Sequence, residues 1–490
     1  MSAPDFDYMT ATELAAALAA RQVSAVELTQ RAIARIERHD RAINAICVRD
    51  FERALAAARD ADAARARGET GALLGVPITV KESFHVAGLP TTWGMPAFKD
   101  FRPAEDAVAV ARVKAAGAVV LGKTNVPLGL GDWQSYNAIY GTTNNPWNLA
   151  CTPGGSSGGS AAALAAGFGA VSLGSDIAGS LRAPAHDCGV FAHKPSLGLL
   201  ASRGHNPPPS PPLPIERDLG VIGPMARSAA DLALVLEVLA APDPRMLGIA
   251  YRLALPEARH TELAGFRVLV LDSHPLYPTA SAIRTAIDRL AGGLARAGAH
   301  VARQTELLPD LADATRLFVR LLYSFLAAFW PAETYERFRA QAADLPAADL
   351  SLAAEQVRGV VLSHRDWVLA DVARVRLRER WRELFTAFDV VIAPAMPTPA
   401  FAHDHEPDQS RRTLWVDGVR CPYIDQLTWA GVATAPGLPA TAVPIGRAGD
   451  GLPIGVQIIG PMFEDKTPLR FAQLIEREFG GFVPPPLASS

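Results

Sequence analysis

Cysteine, aromatic residues and long apolar runs are all scarce in this sequence. Its 490 residues include four cysteines, and aromatic side chains make up 7% of the chain. Cys47, Cys151, Cys188 and Cys421 are far apart and form no Cys-x-x-Cys pair, which argues against a disulfide framework and favours reduced thiols. The longest apolar stretches, such as residues 321–330, are far shorter than the ~20 residues that cross a bilayer.

No charge of one sign dominates either. The chain has 47 Lys and Arg residues against 50 Asp and Glu residues, a formal net charge of −3, which argues against nucleic acid as a partner. Residues 1–10 (MSAPDFDYMT) contain neither a basic segment nor an apolar one, so no signal peptide is expected. These features predict a cytoplasmic protein with no membrane partner. Nothing in the sequence fixes the oligomeric state, and a homodimer remains open.

Helical and strand-like patterns alternate along the chain. Thr10 with Glu13, and Ser24 with Glu27, are spaced as the capping boxes that begin helices. Short apolar runs predict buried strands, and apolar residues at helical spacing predict helices between them. The predicted strands are 75–80, 118–121, 170–173, 267–271, 390–392, 440–443 and 454–459, and the later helices are 51–67, 105–116, 228–241, 279–297, 311–330, 365–386 and 466–479. This alternation predicts an α/β protein with a mostly buried sheet.

No linker or internal repeat divides the chain, which favours one domain over residues 1–490. The one biased segment, Pro207 to Pro214 (PPPSPPLP), predicts extended polyproline on the surface.

Three segments imitate functional motifs. Residues 117–124 (GAVVLGKT) match the phosphate-loop pattern, but a helix precedes them and a β-type apolar run fills them, which is the wrong context. Residues 403–406 (HDHE) with Asp408 offer metal-ligand types, yet short acidic loops with histidines are usually solvated turns. The Arg-rich residues 374–382 predict a solvated helix face. We therefore expect no metal and no cofactor.

Glycine and serine are densest between residues 152 and 180. Gly154 to Ser160 (GGSSGGS) precedes a predicted helix and strand, and Gly174 to Ser180 (GSDIAGS) follows them. Two such turns around one helix–strand unit can bring Ser156 and Ser180 close together. Successive main-chain N–H groups of the second turn can also point at one centre, as an oxyanion hole requires. This pattern predicts a catalytic or anion-binding site.

These two turns resemble the motif of the amidase signature family. Six further stretches stand in the order of that family: residues 76–82 (VPITVKE), 123–127 (KTNVP), 189–198 (GVFAHKPSLG), 223–228 (GPMARS), 388–394 (FDVVIAP) and 451–457 (GLPIGVQ). The resemblance covers roughly residues 10 to 480 and is weakest between 245 and 385, with the signature core at about 70–230. It implies the amidase signature fold, in which α-helices surround a large mixed central β-sheet.

The resemblance also implies a Ser–Ser–Lys triad. Ser180 matches the nucleophile, Ser156 matches the bridging serine, which relatives hold on a cis peptide bond, and Lys81 matches the base. Lysine can act as a base only when it is neutral, which burial promotes by lowering its pKa. The main-chain N–H groups of Ile177, Ala178, Gly179 and Ser180 would then form the oxyanion hole.

The chain departs from the family pattern before the nucleophile. Relatives commonly have two glycines there, whereas this chain has Ala178 and Gly179. An alanine that needed a positive φ would be strained. Asp176 and Arg182 in the same motif are expected to pair and support the turn.

Among members of this family, the sequence favours a stand-alone amide hydrolase acting on a small amide. The alternative is the glutaminase subunit of a tRNA-dependent amidotransferase, but such subunits need polar groups for glutamine, and residues 128–133 (LGLGDW) are largely apolar. The resemblance implies that Leu130, which stands where relatives place a residue lining the acyl side of the site, and Ser156 bind substrate, although a core leucine at 130 is the alternative. An aryl or other apolar amide is expected, and the same attack would serve esters and carbamates. Further aromatic and apolar candidates for the pocket are Leu128, Trp133, Tyr140, Phe318, Phe325 and Trp330.

Overall fold

One large mixed sheet organises the protein. The structure, a computed structural model, describes residues 6–214 and 217–487. Eleven strands form the main sheet in the order β1-β3-β2-β6-β8-β7-β14-β15-β11-β9-β10, while β4 pairs with β5 and β12 with β13. The strands are β1 (Ile46–Arg49), β2 (Pro77–Lys81), β3 (Val119–Thr124), β4 (Tyr136–Asn137), β5 (Gly141–Thr142), β6 (Val171–Asp176), β7 (Phe191–Lys194), β8 (Val221–Ala226), β9 (Arg267–Val270), β10 (His300–Ala302), β11 (Val390–Pro394), β12 (Thr413–Val416), β13 (Val419–Pro422), β14 (Ala440–Arg447) and β15 (Pro453–Ile459).

Helices surround this sheet and cover it on both sides. They are α1 (Ala11–Ala19), α2 (Ala25–Ile43), α3 (Phe51–Ala66), α4 (Val108–Ala115), α5 (Gly158–Ala165), α6 (Arg182–Cys188), α7 (Ala229–Leu239), α8 (Ser281–Arg296), α9 (Leu311–Ala327), α10 (Ala332–Ala343), α11 (Leu352–Val360), α12 (His364–Ala387), α13 (Thr428–Thr434) and α14 (Lys466–Phe479). The larger apolar core includes α2, α5, α7, α8 and α14, and a second core includes α9, α12 and α13. The α/β class and the large mixed sheet are therefore confirmed.

Local sequence signals explain where elements begin. Both predicted capping boxes are present: Thr10 Oγ1 accepts from the Glu13 N–H, Ser24 Oγ accepts from the Glu27 N–H, and each glutamate bonds back to the cap. Each box satisfies N–H groups that the first helical turn would otherwise leave unpaired. Residues 117–124 do not form a phosphate loop, because β3 runs through Lys123 and Thr124.

Three neighbouring strands towards one end of the main sheet, β3, β2 and β6, position functional residues. β2 pairs in parallel with β3 on one side and with β6 on the other. All residues of these three strands are buried, including the polar Lys81, Lys123 and Asp176, as expected for strands covered on both faces. Parallel strands place their carboxyl ends at one edge of the sheet, so Lys81 at the end of β2 and Asp176 at the end of β6 lie on the same side.

Two predictions about surface segments are wrong in part. The run Pro207 to Pro214 is not continuously extended, because residues 208–209 form a turn with a cis bond between Pro208 and Pro209, and Pro208 is buried. The Arg-rich stretch lies on α12 as predicted, but Arg374 is not solvated. Its guanidinium is buried between the carboxylates of Asp218 and Asp371.

Other predicted features take simple forms. The four cysteines are free thiols. His405 of the 403–406 segment stacks on the Tyr136 ring with centroids 3.9 Å apart, and across residues 6–214 and 217–487 no group of three His, Cys, Asp or Glu side chains could hold a metal ion. No helix in those ranges is long and apolar enough to cross a membrane.

Candidate active site

Lys81 is the centre of a buried cluster of hydroxyl groups. Its side chain is fully buried at the end of β2. The Nζ atom lies 2.8 Å from Ser156 Oγ, 2.9 Å from Ser157 Oγ and 2.9 Å from Ser175 Oγ. Neither Asp176 nor Glu82 forms a salt bridge with Lys81, and Glu82 instead accepts from the main-chain N–H groups of residues 92 and 93. Lys81 is thus an amine held by neutral oxygens.

The surroundings of Lys81 favour its neutral form. Burial lowers the pKa of Lys81 well below its ordinary value, because the ammonium ion loses its hydration. The Asp176 carboxylate opposes this shift in the Lys81 pKa, and the Arg217 guanidinium adds to it. A buried amine of this kind can accept a proton at moderate pH.

Ser156 lies in the loop that leads into α5. The peptide bond between Gly155 and Ser156 is cis, as the family resemblance implies. Gly155 cannot be replaced without movement of the backbone, since a Cβ atom there would lie 2.3 Å from the main-chain oxygen of Asp132. The Ser157 N–H donates to the main-chain oxygen of Ser180 at 3.2 Å, which fixes the loop of Ser156 against that of Ser180.

Ser180 lies between β6 and α6, on a turn that Asp176 organises. The Asp176 carboxylate accepts from the N–H groups of Gly179 (2.9 Å) and Leu181 (3.1 Å). It also pairs with the Arg182 guanidinium at 2.8 Å, both side chains being buried. Arg182 in turn donates to Gln457 and Thr434. The expected pairing of Asp176 with Arg182 is confirmed, and it holds the turn in place.

The main-chain N–H groups of this turn are not equivalent. That of Gly179 is used by Asp176, so its predicted place in the oxyanion hole is not available in this structure. The N–H groups of Ile177, Ala178 and Ser180 have no hydrogen-bond acceptor among the described residues. The turn therefore offers three unused donors.

Ala178 is compatible with this turn. The backbone has a positive φ at Gly179 (93°) and not at Ala178. Only the second residue of the pair needs the conformational freedom of glycine. The departure from the family pattern therefore costs no backbone strain.

Replacing Asp176 with asparagine is expected to lower the free energy of unfolding by about 3–5 kcal/mol, because the buried Arg182 would lose its countercharge. Burial alone would raise the pKa of the Asp176 carboxyl. The Arg182 guanidinium outweighs burial, and the pKa of Asp176 is lowered to about 2. An aspartate in an unfolded chain has a pKa of about 3.9. The carboxylate's contribution is therefore complete above about pH 5 and is lost as the pH falls towards 2.

Urea unfolding at several pH values measures this effect. Asp288→Asn is the matched control, because Asp288 pairs with Arg303 at the exposed surface and should contribute less than about 1 kcal/mol. Equal losses in the two variants would contradict the assigned role of Asp176.

A cavity of about 150 Å³ opens onto Ser156 and Ser180. An apolar cavity of about this size can hold a benzene ring. Its walls are mostly apolar and come from distant parts of the chain: Trp93, Leu130, Trp133, Ile177, Tyr323 and Phe325. The predicted substrate-binding residues Leu130 and Ser156 both line it.

Of the six other residues predicted to line the pocket, two line the cavity and four do not. Trp133 and Phe325 line the cavity, whereas Leu128 is largely exposed, Phe318 is buried in the second core, and Trp330 packs against Tyr323 and Phe338. Tyr140 lies 3.4 Å from Glu82 and does not line the cavity.

The sequence did not point to Ser157 and Ser175, whose hydroxyls also contact Lys81 Nζ. It also did not point to Trp93, His205 and Arg217 in the cavity wall. Ser157 and Ser175 stand inside the quoted motifs, so proximity in sequence was an available signal for them. The three wall residues carry no such signal.

Comparisons with known proteins agree on the family. A family model described as Amidase matches residues 27–469. The chain is 34% identical to a glutamyl-tRNA(Gln) amidotransferase subunit of Anaeromyxobacter sp. (strain K), over 97% of each chain. It is 31% identical to fatty-acid amide hydrolase 2-A of Danio rerio, over 97% of this chain and 90% of that one. A bacterial aryl acylamidase of the amidase signature family superposes with a TM-score of 0.81 at 24% identity, over 96% of each chain, which shows the shared fold.

Proposed function

The chain belongs to the amidase family and is an amide hydrolase of the amidase signature type, and on that premise we propose that it is a stand-alone enzyme using a Ser180–Ser156–Lys81 triad. The observation that carries this proposal is the buried Lys81 amine, 2.8 Å from Ser156 Oγ, beside a cavity that Ser180 also lines.

The proton inventory around Lys81 supports its role as the base. A neutral amine has two N–H donors and one lone pair. The Ser157 hydroxyl donates to the main-chain oxygen of Ser175 at 3.3 Å, so it can only accept from Nζ. If Ser175 Oγ accepts the second N–H, the lone pair is left for the Ser156 hydroxyl. The amine is then ready to take a proton from Ser156 and from no other neighbour.

The proposed reaction moves one proton through two hydroxyls. Ser180 Oγ attacks the amide carbonyl carbon while its proton passes to Ser156 and the Ser156 proton passes to Lys81. The oxyanion accepts from the N–H groups of Ile177, Ala178 and Ser180. The carbon–nitrogen bond then breaks, the proton returns through Ser156 to the leaving amine, and an acyl-enzyme forms on Ser180. Water releases the acid by the same relay.

The cavity supports an aryl or other apolar group on the substrate. Trp133, Tyr323 and Phe325 supply flat apolar surface close to Ser180, and burial of such a group supplies binding energy in proportion to its area. The same attack on an ester or a carbamate needs no further protein group.

The likeness to amidotransferase subunits supports a second candidate, a glutaminase. Glutamine carries an α-ammonium group, which needs a free carboxylate. Asp132 and Asp176 are the acidic residues of the cavity wall within the described chain, and both are occupied, Asp132 by Arg412 and Tyr423 and Asp176 by Arg182. This occupancy favours the stand-alone amide hydrolase.

Amine release from four substrates separates the candidates: an aryl acylamide, an aryl carbamate, a primary aliphatic amide and glutamine. We expect arylamine from the aryl acylamide and no ammonia from glutamine. Ammonia from glutamine alone would reverse the choice, and the protein would then be expected to need partner subunits.

A further inference from the structure

Arg217 places an uncompensated positive charge in the wall of the catalytic cavity. It lines the same cavity as Ser156 and Ser180. Its Nη2 atom is buried and has no hydrogen-bond partner, and within the described residues Arg217 forms no salt bridge. The next residue does not neutralise it, because Asp218 pairs with Arg374. A buried cation without a countercharge is costly in a folded protein.

Neutral groups hold the Arg217 side chain in position. Its Nη1 atom lies 2.8 Å from His205 Nδ1. A guanidinium can only donate, so Nδ1 accepts and the His205 proton is on Nε2, which donates to Ser83 Oγ at 2.9 Å. The Trp93 ring lies 5.1 Å from the guanidinium carbon. These contacts orient the Arg217 side chain through Nη1 and the face of the guanidinium, and they leave Nη2 without a hydrogen-bond acceptor in the described part of the chain.

The other charged groups of the wall are already paired. Asp132 accepts from Arg412 at 2.6 Å and from the Tyr423 hydroxyl at 2.5 Å. Asp176 is bound to Arg182. Within residues 6–214 and 217–487, the cavity thus combines apolar walls with one uncommitted cation, an environment in which an anionic ligand group gains a strong charge-assisted hydrogen bond.

We propose that this cavity selects amides that carry a carboxylate, and that the Arg217 guanidinium binds that carboxylate while the apolar walls hold the rest of the substrate. This inference rests on the proposed function and narrows its substrate class. A bound carboxylate would supply the countercharge that Arg217 lacks among the described residues.

Two matched substrate pairs test the proposal. Succinanilic acid against butyranilide places a carboxylate or a methyl on the acyl side, and 4-acetamidobenzoate against acetanilide places a carboxylate or hydrogen on the amine side. The readout is the ratio of kcat/KM within each pair. Any effect of Arg217 on Lys81 acts on both members and largely cancels in the ratio.

Arg217→Gln is expected to lower the carboxylate-to-neutral ratio of at least one pair by about 10–100-fold, the usual loss for a hydrogen bond to a charged group. Arg217→Lys should retain part of the preference, because it keeps the charge and loses the planar donor pair. Arg303→Gln is the control, since Arg303 pairs with Asp272 and Asp288 at the surface, and its ratios should equal those of the wild type. Unchanged ratios in Arg217→Gln would overturn the proposal.

A binding experiment separates this inference from the proposed function. Benzoate and benzamide are titrated calorimetrically into Ser180→Ala and into Ser180→Ala/Arg217→Gln. We expect benzoate to bind more tightly than benzamide to the first variant and to lose that preference in the second. The same result without hydrolysis of any amide would overturn the proposed function alone, whereas no preference for benzoate in the first variant would overturn the role of Arg217.

Discussion

Ser180→Ala should lower kcat for the best amide substrate by at least about 10⁴-fold, as loss of a serine nucleophile does in other hydrolases. The proposed acyl-enzyme forms on Ser180 Oγ. Ser156, the other hydroxyl of the relay, does not lie on the turn of residues 177–180, which offers the unused main-chain N–H groups. The change should leave the fold intact. Ser180 Oγ has no hydrogen bond within the described residues, so its removal leaves no buried partner unsatisfied, and the free energy of unfolding should change by less than about 1 kcal/mol.

Ser160→Ala is the control variant, because it should lower stability and retain activity, the opposite of what is expected for Ser180→Ala. Ser160 lies on α5 near the site, and its hydroxyl is 2.7 Å from Thr124 Oγ, but it does not line the cavity. Its removal should cost about 1–3 kcal/mol of stability, because Thr124 is left without its buried partner, and should retain most of the activity. A fluorophosphonate should label Ser180 in the wild type and in Ser160→Ala. Labelling of another residue, or activity above a few per cent of wild type in Ser180→Ala, would refute the assignment of the nucleophile.

Lys81→Arg should lower kcat/KM by about 10²–10⁴-fold, the contribution typical of a positioned general base. Arginine keeps hydrogen-bond donors at this position, but it cannot lose its proton at any accessible pH and therefore cannot act as a base. Raising the pH should therefore not restore the activity. Lys114→Arg is the matched control, since Lys114 is an exposed lysine paired with Asp106 and should behave as the wild type.

The wild-type pH profile carries the same information. Burial holds the pKa of Lys81 well below its ordinary value, so the base is neutral across a wider pH range than a free lysine would be. The rate should be flat above that lowered pKa and should fall as the pH drops through it and Lys81 becomes protonated. A rate that rises only near the ordinary lysine pKa of about 10.4 would show that Lys81 is not held neutral.

The two losses should not add. Ser180 and Lys81 act on the same proton, so the double variant Ser180→Ala/Lys81→Arg should be about as slow as Ser180→Ala alone. Additive losses would mean that the two residues work independently.

The sequence by itself determined the fold class and the residues of the proposed triad. Helix starts such as Thr10 and Ser24 depend on hydrogen bonds within four residues, and buried strands such as β2 and β6 contain short, mostly apolar runs. Local patterns were therefore sufficient to predict these elements. The triad residues were predicted from the resemblance to the amidase signature family, which rests on local motifs: the glycine-rich turns around Ser156 and Ser180, and residues 76–82 around Lys81.

Only the tertiary structure decided which residues form the cavity wall. Trp93, Arg217 and Tyr323 are each more than a hundred residues apart along the chain, and they meet because the fold brings the loops of Trp93 and Arg217 next to α9, which carries Tyr323. No periodicity in the sequence encodes such a meeting. The tertiary structure also determines that Asp218 pairs with Arg374 and that Arg217 has no carboxylate partner within the described residues. Which of several nearby carboxylates forms an ion pair depends on distances of a few ångströms and on burial.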